Sequence, residues 1–377
     1  MSEPILPTSR LAPAQRIDAP VPPVWIVNAA FKLRRLLLRA ADAVVPPYMA
    51  IYDRLMGTAH TMLIHSAARL CIPDLLANGP LSGAEIAART GTNSDVMERV
   101  MLALVSIGVF CHKEDGRYAN NRTSKCMITG APGGIRGFAE FFGHEKILMA
   151  WNRLSETLQD GKRAFNEVHG QIVWDFLADD SHVKAAFAEG MSSMTELVSP
   201  AIAAAYPFES VHTVCDVGGG VGILLSAVLR KHTHLRGILF DLEPMIHEAK
   251  AYVDAAGLSD RVELHAGNFF EAVPRGADCY IMKTVLHNWD DEEALKILRS
   301  CRAAMDPNQR LLVCDFLVHK DAFSTMVPFM DLAGLMIFCG RERSTEKLRA
   351  MFSETGFTLG RVVPLPGVQA VYEAIAR

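Results

Sequence analysis

The chain has 377 residues, which at about 150 residues per domain predicts two domains, or three at most. Half of its residues are hydrophobic and 21% are charged, a balance that excludes a wholly disordered chain. The net charge of −4 disfavours nucleic acid as the main partner, because proteins that neutralise phosphates are usually basic.

The eight cysteines are scattered, and none forms a C-x-x-C pair. This usage favours free thiols in a reducing compartment over a disulfide framework or a zinc site. The sequence after Met1 is polar and proline-rich, unlike a secretory signal, so we expect a cytoplasmic protein. His232 and His234 form an isolated pair that we interpret as surface residues, and we expect no metal.

The first 50 residues predict a proline-rich and basic arm. Six prolines fall within residues 1–24, and residues 30–40 interleave leucines with lysine and arginine. The second pattern predicts a basic amphipathic helix, which could contact an anionic membrane surface or dock on its own chain or on a partner subunit. We favour docking.

The segment that follows the arm has the pattern helix, helix, helix, hairpin. Ser82-Gly-Ala-Glu85 predicts a capping box that opens a short helix, and Asn93 or Ser94 would cap a longer helix. Residues 109–120 predict two strands around a turn. This is the outline of a winged helix-turn-helix, and a mainly helical stretch follows it over residues 136–206.

A winged helix often binds DNA, so the surface of its second helix is decisive. The charged residues of that helix are Asp95, Glu98 and Arg99, and most of the others are apolar. The helix therefore lacks a face that would bind phosphates, and we expect it to be buried against protein. A ligand-sensing DNA-binding protein remains the alternative from a different functional class.

From Val211 onwards, strand-like runs alternate with helical segments, which predicts a parallel, doubly wound sheet with sites at the carboxyl ends of its strands. The predicted strands are residues 212–217, 236–241, 261–266, 277–286 and 310–318, followed by a final pair at 356–365 and 368–376. Residues 323–340 form an apolar stretch at the lower length limit of a membrane span. Asp331 and Pro328 within it favour instead a helix buried in a protein interface.

A glycine-rich turn, Asp216-Val-Gly-Gly-Gly-Val-Gly222, joins the first of these strands to the next helix. A dinucleotide-binding turn would have Gly or Ala where Ile223 stands, so this turn better suits a ligand with an amino-acid end and no phosphate. Asp241 ends the second predicted strand, where a carboxylate can accept both hydroxyls of a ribose.

His287 ends a later predicted strand, just before a helix that Asn288 or Asp290 would cap and whose capping box Glu293 would complete. The amino terminus of that helix would disfavour the imidazolium and keep the ring neutral near neutral pH. A neutral imidazole can accept a proton, which is what a general base requires.

Five motifs, in this order, resemble those of the S-adenosylmethionine-dependent small-molecule O-methyltransferases. They are Asp216-Val-Gly-Gly-Gly-x-Gly, Phe240-Asp241-Leu-x-Pro244, Gly267-Asn-Phe-Phe270, Lys283-x-x-Leu-His287-Asn-Trp-x-Asp291 and Gly340-Arg-Glu-Arg-Ser-Thr345. The resemblance covers residues 55–377. It implies an α/β fold, a doubly wound Rossmann-like class I methyltransferase domain preceded by a mainly α winged-helix dimerisation domain, and hence a homodimer.

The resemblance also divides the chain into three parts. Residues 1–50 are the arm, residues 51–205 the winged-helix and helical domain for dimerisation and for a substrate lid, and residues 206–377 the catalytic domain.

The cofactor that the resemblance implies is S-adenosylmethionine, with no metal. Asp241 would bind the ribose hydroxyls, and Asn268 and Phe269 would surround the adenine. The family usually has Asp at the position of Asn268, so a charged acceptor is lost while an amide remains. The implied cofactor residues are Asp216, Gly218, Gly220, Asp241, Leu242, Asn268, Phe269 and Lys283.

His287 matches the catalytic base of the family, and Asp315 and Glu342 match the acids that orient it. Asp stands at 315 where Glu is common, which shortens its reach to His287. Because a phenol has a pKa of about 10, a base would speed the transfer by taking its proton as the oxygen attacks the sulfonium methyl. The implied activity is O-methylation of a small aromatic, polyketide or pigment-type metabolite. The alternatives are N- or C-methylation, and decarboxylation or hydroxylation with the cofactor as a scaffold.

Apolar residues that could line a pocket for the methyl acceptor lie in two regions, although residues of this kind more often belong to a core. They are Phe141, Met191, Met194, Phe329, Met330 and Met336.

Overall fold

The structure is a computed structural model that describes residues 21–318 and 326–377. Residues 1–20 of the predicted arm and residues 323–325 of the predicted apolar stretch lie outside the described residues.

The described chain divides into two compact units. We call them the amino-terminal unit and the sheet unit. The first contains residues 40–152 and 174–197, and the second contains residues 21–39, 153–173 and the described residues from 198 onwards.

Six helices open the described chain, and the sequence signals that start two of them are confirmed. They are α1 (Val24–Ala43), α2 (Pro47–Leu55), α3 (Gly57–Arg69), α4 (Ile72–Leu75), α5 (Gly83–Thr90) and α6 (Ser94–Ser106). The Ser82 hydroxyl accepts from the Glu85 backbone N–H and the Glu85 carboxylate accepts from the Ser82 N–H, which is the predicted capping box of α5. Asn93 caps α6.

Helix α1 is the predicted basic amphipathic helix, but its apolar face is uncovered. None of its residues is buried, and Trp25, Leu36 and Leu37 are each at least 60% exposed. The described residues bury no side chain of α1, and its docking stays a prediction. Over residues 21–318 and 326–377, no helix is both long enough and apolar enough to cross a membrane.

The predicted hairpin is confirmed as β1 (Phe110–His112) paired antiparallel with β2 (Tyr118–Asn120). It packs with α3 to α6 around a hydrophobic core that includes Ile86, Met101 and Tyr118, all fully buried. We expected the outer face of α6 to be buried, but it is exposed: Val96 and Leu102 are 55% and 47% exposed. Burial of this face would need a second protein surface.

The helical stretch predicted to follow the hairpin is also confirmed. It consists of α7 (Arg136–Phe142), α8 (Glu145–Asn152), α9 (Leu154–Asp160), α10 (Ala164–His169), α11 (Val173–Asp179) and α12 (Ser181–Ala205). Helices α9 and α10 belong to the sheet unit, and α12 runs across the boundary between the two units.

Seven strands of the described chain form the sheet, in the order β5-β4-β3-β6-β7-β9-β8. They are β3 (Thr213–Val217), β4 (Arg236–Asp241), β5 (Val262–Ala266), β6 (Cys279–Lys283), β7 (Arg310–Phe316), β8 (Phe357–Pro364) and β9 (Gln369–Ala376). The first five run parallel as predicted, whereas β9 is antiparallel to both β7 and β8. A short turn joins β8 to β9, and a tight turn can join only antiparallel neighbours.

Helices cover both faces of this sheet, which confirms the doubly wound architecture. Tyr280 and Met282 of β6 pack into one hydrophobic cluster and Ile281 between them packs into another, as the alternation of side chains along a strand requires. The helices that contribute to these clusters in this part of the chain are α13 (Ile223–Lys231), α14 (Glu243–Ala255), α15 (Asp291–Ala304) and α17 (Thr345–Glu354). Between β7 and α17 the chain forms a further helix, α16 (Met326–Ala333).

The predicted apolar stretch is not one continuous buried helix. Its described part consists of α16 and a π-helical turn at Gly334–Phe338. Phe329 is 62% exposed and Asp331 is also exposed, so α16 presents part of its surface to solvent.

The chain direction across the sheet reverses between β3 and β6, because β4 and β5 lie on one side of β3 and β6 and β7 lie on the other. In open α/β sheets, ligands bind outside the carboxyl ends of the strands at such a reversal. The fold therefore places the glycine-rich turn and the predicted catalytic residues around one binding position.

Candidate active site

Four neighbouring parallel strands each carry an ionisable side chain at or near their carboxyl ends. Across the sheet the order is Asp241 on β4, Asp216 on β3, Lys283 on β6 and Asp315 on β7. All four residues were predicted from the sequence to belong to the site. They lie up to about a hundred positions apart in the chain, and the parallel register brings them to one edge.

The glycine-rich turn wraps back on Asp241. Gly218, Gly220 and Gly222 have φ angles of +70°, +57° and +90°, a left-handed conformation that favours glycine. The backbone N–H of Gly220 donates to Asp241 Oδ2 at 2.8 Å. A Cβ atom added at Gly220 would have no heavy atom within 4 Å, so open space adjoins the turn.

The Asp241 carboxylate is fixed in orientation before any ligand binds. Its other oxygen, Oδ1, accepts from the N–H of Leu242 at 2.7 Å. Burial raises the pKa of Asp241, although both backbone hydrogen bonds act against the rise. Each carboxylate oxygen can accept more than one hydrogen bond, so acceptor capacity remains for a ligand hydroxyl.

Asp216 is the clearest sign that a ligand belongs here. The residue is 1% exposed, and its Oδ2 atom has no hydrogen-bond partner among the described residues. Burial and the nearby charge of Asp241 raise the pKa of Asp216 to about 7, while Lys283 acts in the opposite direction. Burial also lowers the pKa of Lys283 to about 8. A buried acceptor without a donor is uncommon in folded proteins and fits an incoming cationic or hydroxyl group.

One of the two residues predicted to surround adenine lies beside this turn. Phe269 is close to Gly218, since a Cβ atom added there would lie 3.7 Å from the Phe269 ring. Leu242 is 54% exposed at the end of β4. Asn268 Oδ1 accepts from the Phe270 backbone N–H at 3.0 Å, so its amide oxygen holds the local turn, and its contact with adenine stays a prediction.

His287 lies in a short 3-10 turn, Leu286–Asn288, four residues beyond the end of β6 rather than at the strand end itself. Its Nδ1 atom is 2.8 Å from Glu342 Oε1, and its side chain is 12% exposed. The structure therefore brings together the predicted base and one of the two acids predicted to orient it.

The predicted direction of the pKa shift of His287 is wrong: a nearby helix amino terminus would lower the pKa, whereas the pKa is raised. Helix α15 begins at Asp291, and its amino terminus is satisfied by Asp290, whose side chain accepts from the Glu293 N–H. Burial disfavours the imidazolium, but the hydrogen bond and charge of Glu342, together with the charge of Asp315, outweigh it and raise the pKa of His287. Glu342 thus makes the largest contribution to raising the pKa of this ring.

Asp315 is 5% exposed, and its Oδ1 atom has no hydrogen-bond partner in the described parts of the chain. Burial raises its pKa to about 7, with His287 opposing and Glu342 reinforcing the shift. Asp315 thus affects His287 through charge, whereas Glu342 holds the ring directly.

Two residues of this site were not assigned from the sequence. Asp331 Oδ1 accepts from the backbone N–H of Glu342 at 2.8 Å, and Arg343 donates to the backbone on both sides of His287. Asp331 could have been recognised from the sequence, because it is the single charged residue in the apolar stretch 323–340. Arg343 stood in the last motif without a role.

The residues predicted to bind the acceptor fall in both units. Phe141 is fully buried in the amino-terminal unit, 4.9 Å from the ring of Phe187, a position that suits a core residue. Phe329 on α16 is largely exposed. Met191, Met194 and Met330 are partly exposed, and Met336 is fully buried. Their contact with an acceptor stays a prediction.

The residues that the structure describes contain no group of three or more His, Cys, Asp or Glu side chains that could hold a metal ion. His232 and His234 instead contact the backbone oxygens of Ala203 and Phe208. The expectation of a metal-free enzyme stays a prediction.

Two domain families match the chain. The O-methyltransferase domain matches residues 151–358, and the O-methyltransferase dimerisation domain matches residues 52–130. The phenazine O-methyltransferase of Lysobacter antibioticus is 33% identical over 330 residues, which are 88% of this chain and 96% of the relative.

Solved structures agree with these matches. A mitomycin 7-O-methyltransferase has a TM-score of 0.83 and 32% identity, over 90% of this chain and 100% of the other. An O-methyltransferase from neocarzinostatin biosynthesis, solved with S-adenosylmethionine and 2-hydroxy-5-methyl naphthoic acid, has a TM-score of 0.74 and 30% identity, over 85% of this chain and 96% of the other. The chain therefore belongs to the O-methyltransferase family, and it is an S-adenosylmethionine-dependent enzyme.

Proposed function

We propose that this enzyme methylates a hydroxyl of a small aromatic or polyketide-type metabolite and that His287 is the general base. The observation that carries the proposal is the hydrogen bond between His287 and Glu342 at the carboxyl edge of a sheet whose neighbouring strands present Asp241, Asp216 and Lys283. One edge of the sheet thus holds a base that is oriented by a carboxylate, beside residues that suit the cofactor.

The side chains at this edge fit S-adenosylmethionine. The unpartnered Asp216 oxygen suits the amino group of its methionine portion, Asp241 suits the ribose hydroxyls, and Leu242 and Phe269 offer apolar surface for the adenine. When bound, S-adenosylmethionine supplies an electrophilic methyl group on a sulfonium. Asn268, Gly218, Gly220 and Lys283 complete the residues that we assign to its binding.

Glu342 determines which nitrogen of His287 can act as the base. With Nδ1–H donating to the Glu342 carboxylate, the lone pair lies on Nε2. Nε2 takes the proton from the acceptor hydroxyl as its oxygen becomes nucleophilic, and the imidazolium that forms is stabilised by the charges of Glu342 and Asp315.

The class of methyl acceptor is supported by the similar proteins. Their names describe a phenazine and mitomycin as substrates, and one is solved with a naphthoic acid. All are compounds with flat ring systems, for which exposed apolar residues such as Phe329 offer suitable surface. We assign this chain a hydroxylated aromatic of similar size.

We also propose that the enzyme is a homodimer formed through residues 51–205. The match to a dimerisation domain supports this, and so does α2, on which Tyr48, Ile51, Tyr52 and Leu55 are each more than half exposed. The eight free cysteines support a reducing, cytoplasmic location. We expect no nucleic-acid partner.

The test is a transfer screen with S-adenosylmethionine labelled on its methyl group, against hydroxylated phenazines, naphthoates and quinones. Mass spectrometry of the product should find the label on oxygen. Label on nitrogen or carbon, or loss of carboxylate without transfer, would support one of the alternatives instead. A screen in which no acceptor gains label while the protein binds S-adenosylhomocysteine would overturn the acceptor class.

A further inference from the structure

Arg343 lies next to Glu342, and the function proposed above gives it no role. Its side chain is 3% exposed, and each guanidinium nitrogen donates one hydrogen bond. Nη1 donates to the Leu286 carbonyl at 2.7 Å, Nη2 to the Trp289 carbonyl at 2.7 Å and Nε to Asp291 Oδ1 at 3.0 Å. These acceptors lie on both sides of His287, so one side chain holds the backbone that carries the ring.

The two residues before Arg343 contact the same segment. The Arg341 backbone N–H donates to the His287 carbonyl at 2.9 Å, and the Glu342 carboxylate accepts from the His287 ring. Three consecutive residues therefore fix the carbonyl of His287, its ring and the carbonyls that flank it. A shift of either segment would change the distance between His287 and Glu342.

Asp291 in turn fixes Arg343. It also accepts from Lys347 at 2.8 Å, and although burial acts to raise its pKa, the hydrogen bonds from Lys347 and Arg343 lower it. Asp291 thus stays ionised and anchors the guanidinium group. The charge of Arg343 also acts to lower the pKa of Asp315, against burial.

We propose that Arg343 is a positioning residue: it holds the turn at Leu286–Asn288 so that His287 keeps its hydrogen bond to Glu342. The proposal rests on the proposed function only in treating His287 as the base. Arginine suits this role because its planar fork reaches two carbonyls in a fixed geometry, whereas a lysine ammonium is a single point of charge.

The first test is the pKa of His287, measured by NMR on histidine-labelled protein, in wild type and Arg343→Lys. Lysine keeps the charge but cannot hold both carbonyls, so the bond to Glu342 should loosen and the raised pKa should fall towards its ordinary value. Arg299→Lys is the matched control, because Arg299 is 54% exposed and pairs with Glu354 on the surface. It should leave the pKa of His287 unchanged.

Asp291→Asn is a second variant in case Arg343→Lys does not fold. It leaves Arg343 in place without its anchor, and it should lower the pKa of His287 in the same direction by a smaller amount. If either folded variant keeps the wild-type pKa of His287 and only melts at a lower temperature, Arg343 has a structural role alone and the proposal is wrong.

A kinetic measurement separates this proposal from the proposed function. With an accepted substrate, Arg343→Lys should lower kcat by about 10-fold while leaving KM within about two-fold, and added guanidinium should restore part of the kcat of Arg343→Ala. If no acceptor is ever methylated but the NMR shift occurs, the positioning role stands and the reaction assignment fails. If methylation occurs and the shift does not, the reverse holds.

Discussion

The Nδ1 atom of His287 and the Oε1 atom of Glu342 are 2.8 Å apart, although 55 positions separate the two residues in the chain. His287 comes from the turn after β6, and Glu342 from the segment between the π-helical turn and α17. The contact between the proposed base and Glu342 therefore depends on how accurately two loops are held against each other.

Glu342→Gln should lower the pKa of His287 and reduce turnover. In the wild type the Glu342 carboxylate raises this pKa, so the ring becomes an available base only as the pH rises above it. With a neutral amide the acid limb of the kcat/KM profile should move to lower pH, while the maximum falls by about 10- to 100-fold because the imidazolium loses its counter-charge.

The control for this change is Glu354→Gln, which removes an exposed carboxylate that pairs with Arg299. Its pH profile should match that of the wild type. An acid limb that stays in place in Glu342→Gln would show that the limb does not report His287.

His287→Gln should leave cofactor binding intact and lower turnover by about 10²- to 10⁴-fold, the usual contribution of a general base. The amide cannot accept the proton, but it preserves polarity and approximate size. Calorimetry with S-adenosylhomocysteine and single-turnover kinetics measure the two effects separately. His212→Gln, at an 85% exposed side chain before β3, is the control. Unchanged turnover in His287→Gln would show that His287 is not the base.

Asp241→Asn should weaken binding of S-adenosylmethionine by about 10- to 100-fold, the range expected when a charged hydrogen-bond acceptor is lost. The amide can still accept from Gly220 or Leu242, so the turn should survive the change better than it would with alanine. Isothermal calorimetry measures the affinity, with the exposed Asp254→Asn as control. Equal affinities in wild type and Asp241→Asn would contradict the ribose assignment.

The sequence predicted most of the fold because its signals are local. The capping box at Ser82–Glu85 and the alternation of strands and helices after Val211 each act over a few residues, and both were found where expected. The antiparallel β9 was not predicted, because the direction of a strand depends on its neighbour in the sheet. The exposure of α1 and of the α6 outer face likewise depends on surfaces beyond one helix.

The sequence led to the residues of the candidate site, whose roles stay predictions, but not to the direction in which the pKa of His287 is shifted. The motifs pointed to His287, Asp315 and Glu342. We expected a neutral ring because of the nearby helix, and the expectation did not include the hydrogen bond between His287 and Glu342. Asp331 and Arg343 act by holding backbone groups, and such contacts depend on loop geometry that residue type alone does not encode.

The double variant Ile51→Glu, Leu55→Glu should convert a dimer to a monomer in light-scattering measurements. Both side chains are more than half exposed on α2, and buried charges without partners in an interface would oppose association. Leu158→Glu is the control, since Leu158 is 79% exposed on α9 in the sheet unit. A wild-type protein that is monomeric at all concentrations tested would contradict the dimer itself.

Gly340→Ala should reduce both activity and stability, because Gly340 lies against the backbone of His287, the proposed base. A Cβ atom at this position would be 1.9 Å from the His287 carbonyl oxygen, so the two loops must separate to accept it. Such overpacking costs about 1 to 3 kcal/mol of the free energy of unfolding. Separation of the loops also lengthens the bond between His287 and Glu342, so kcat should fall more than affinity for S-adenosylhomocysteine. Gly57→Ala, where an added Cβ meets nothing within 4 Å, is the control. Full activity in Gly340→Ala would show that catalysis tolerates loose contact between these loops.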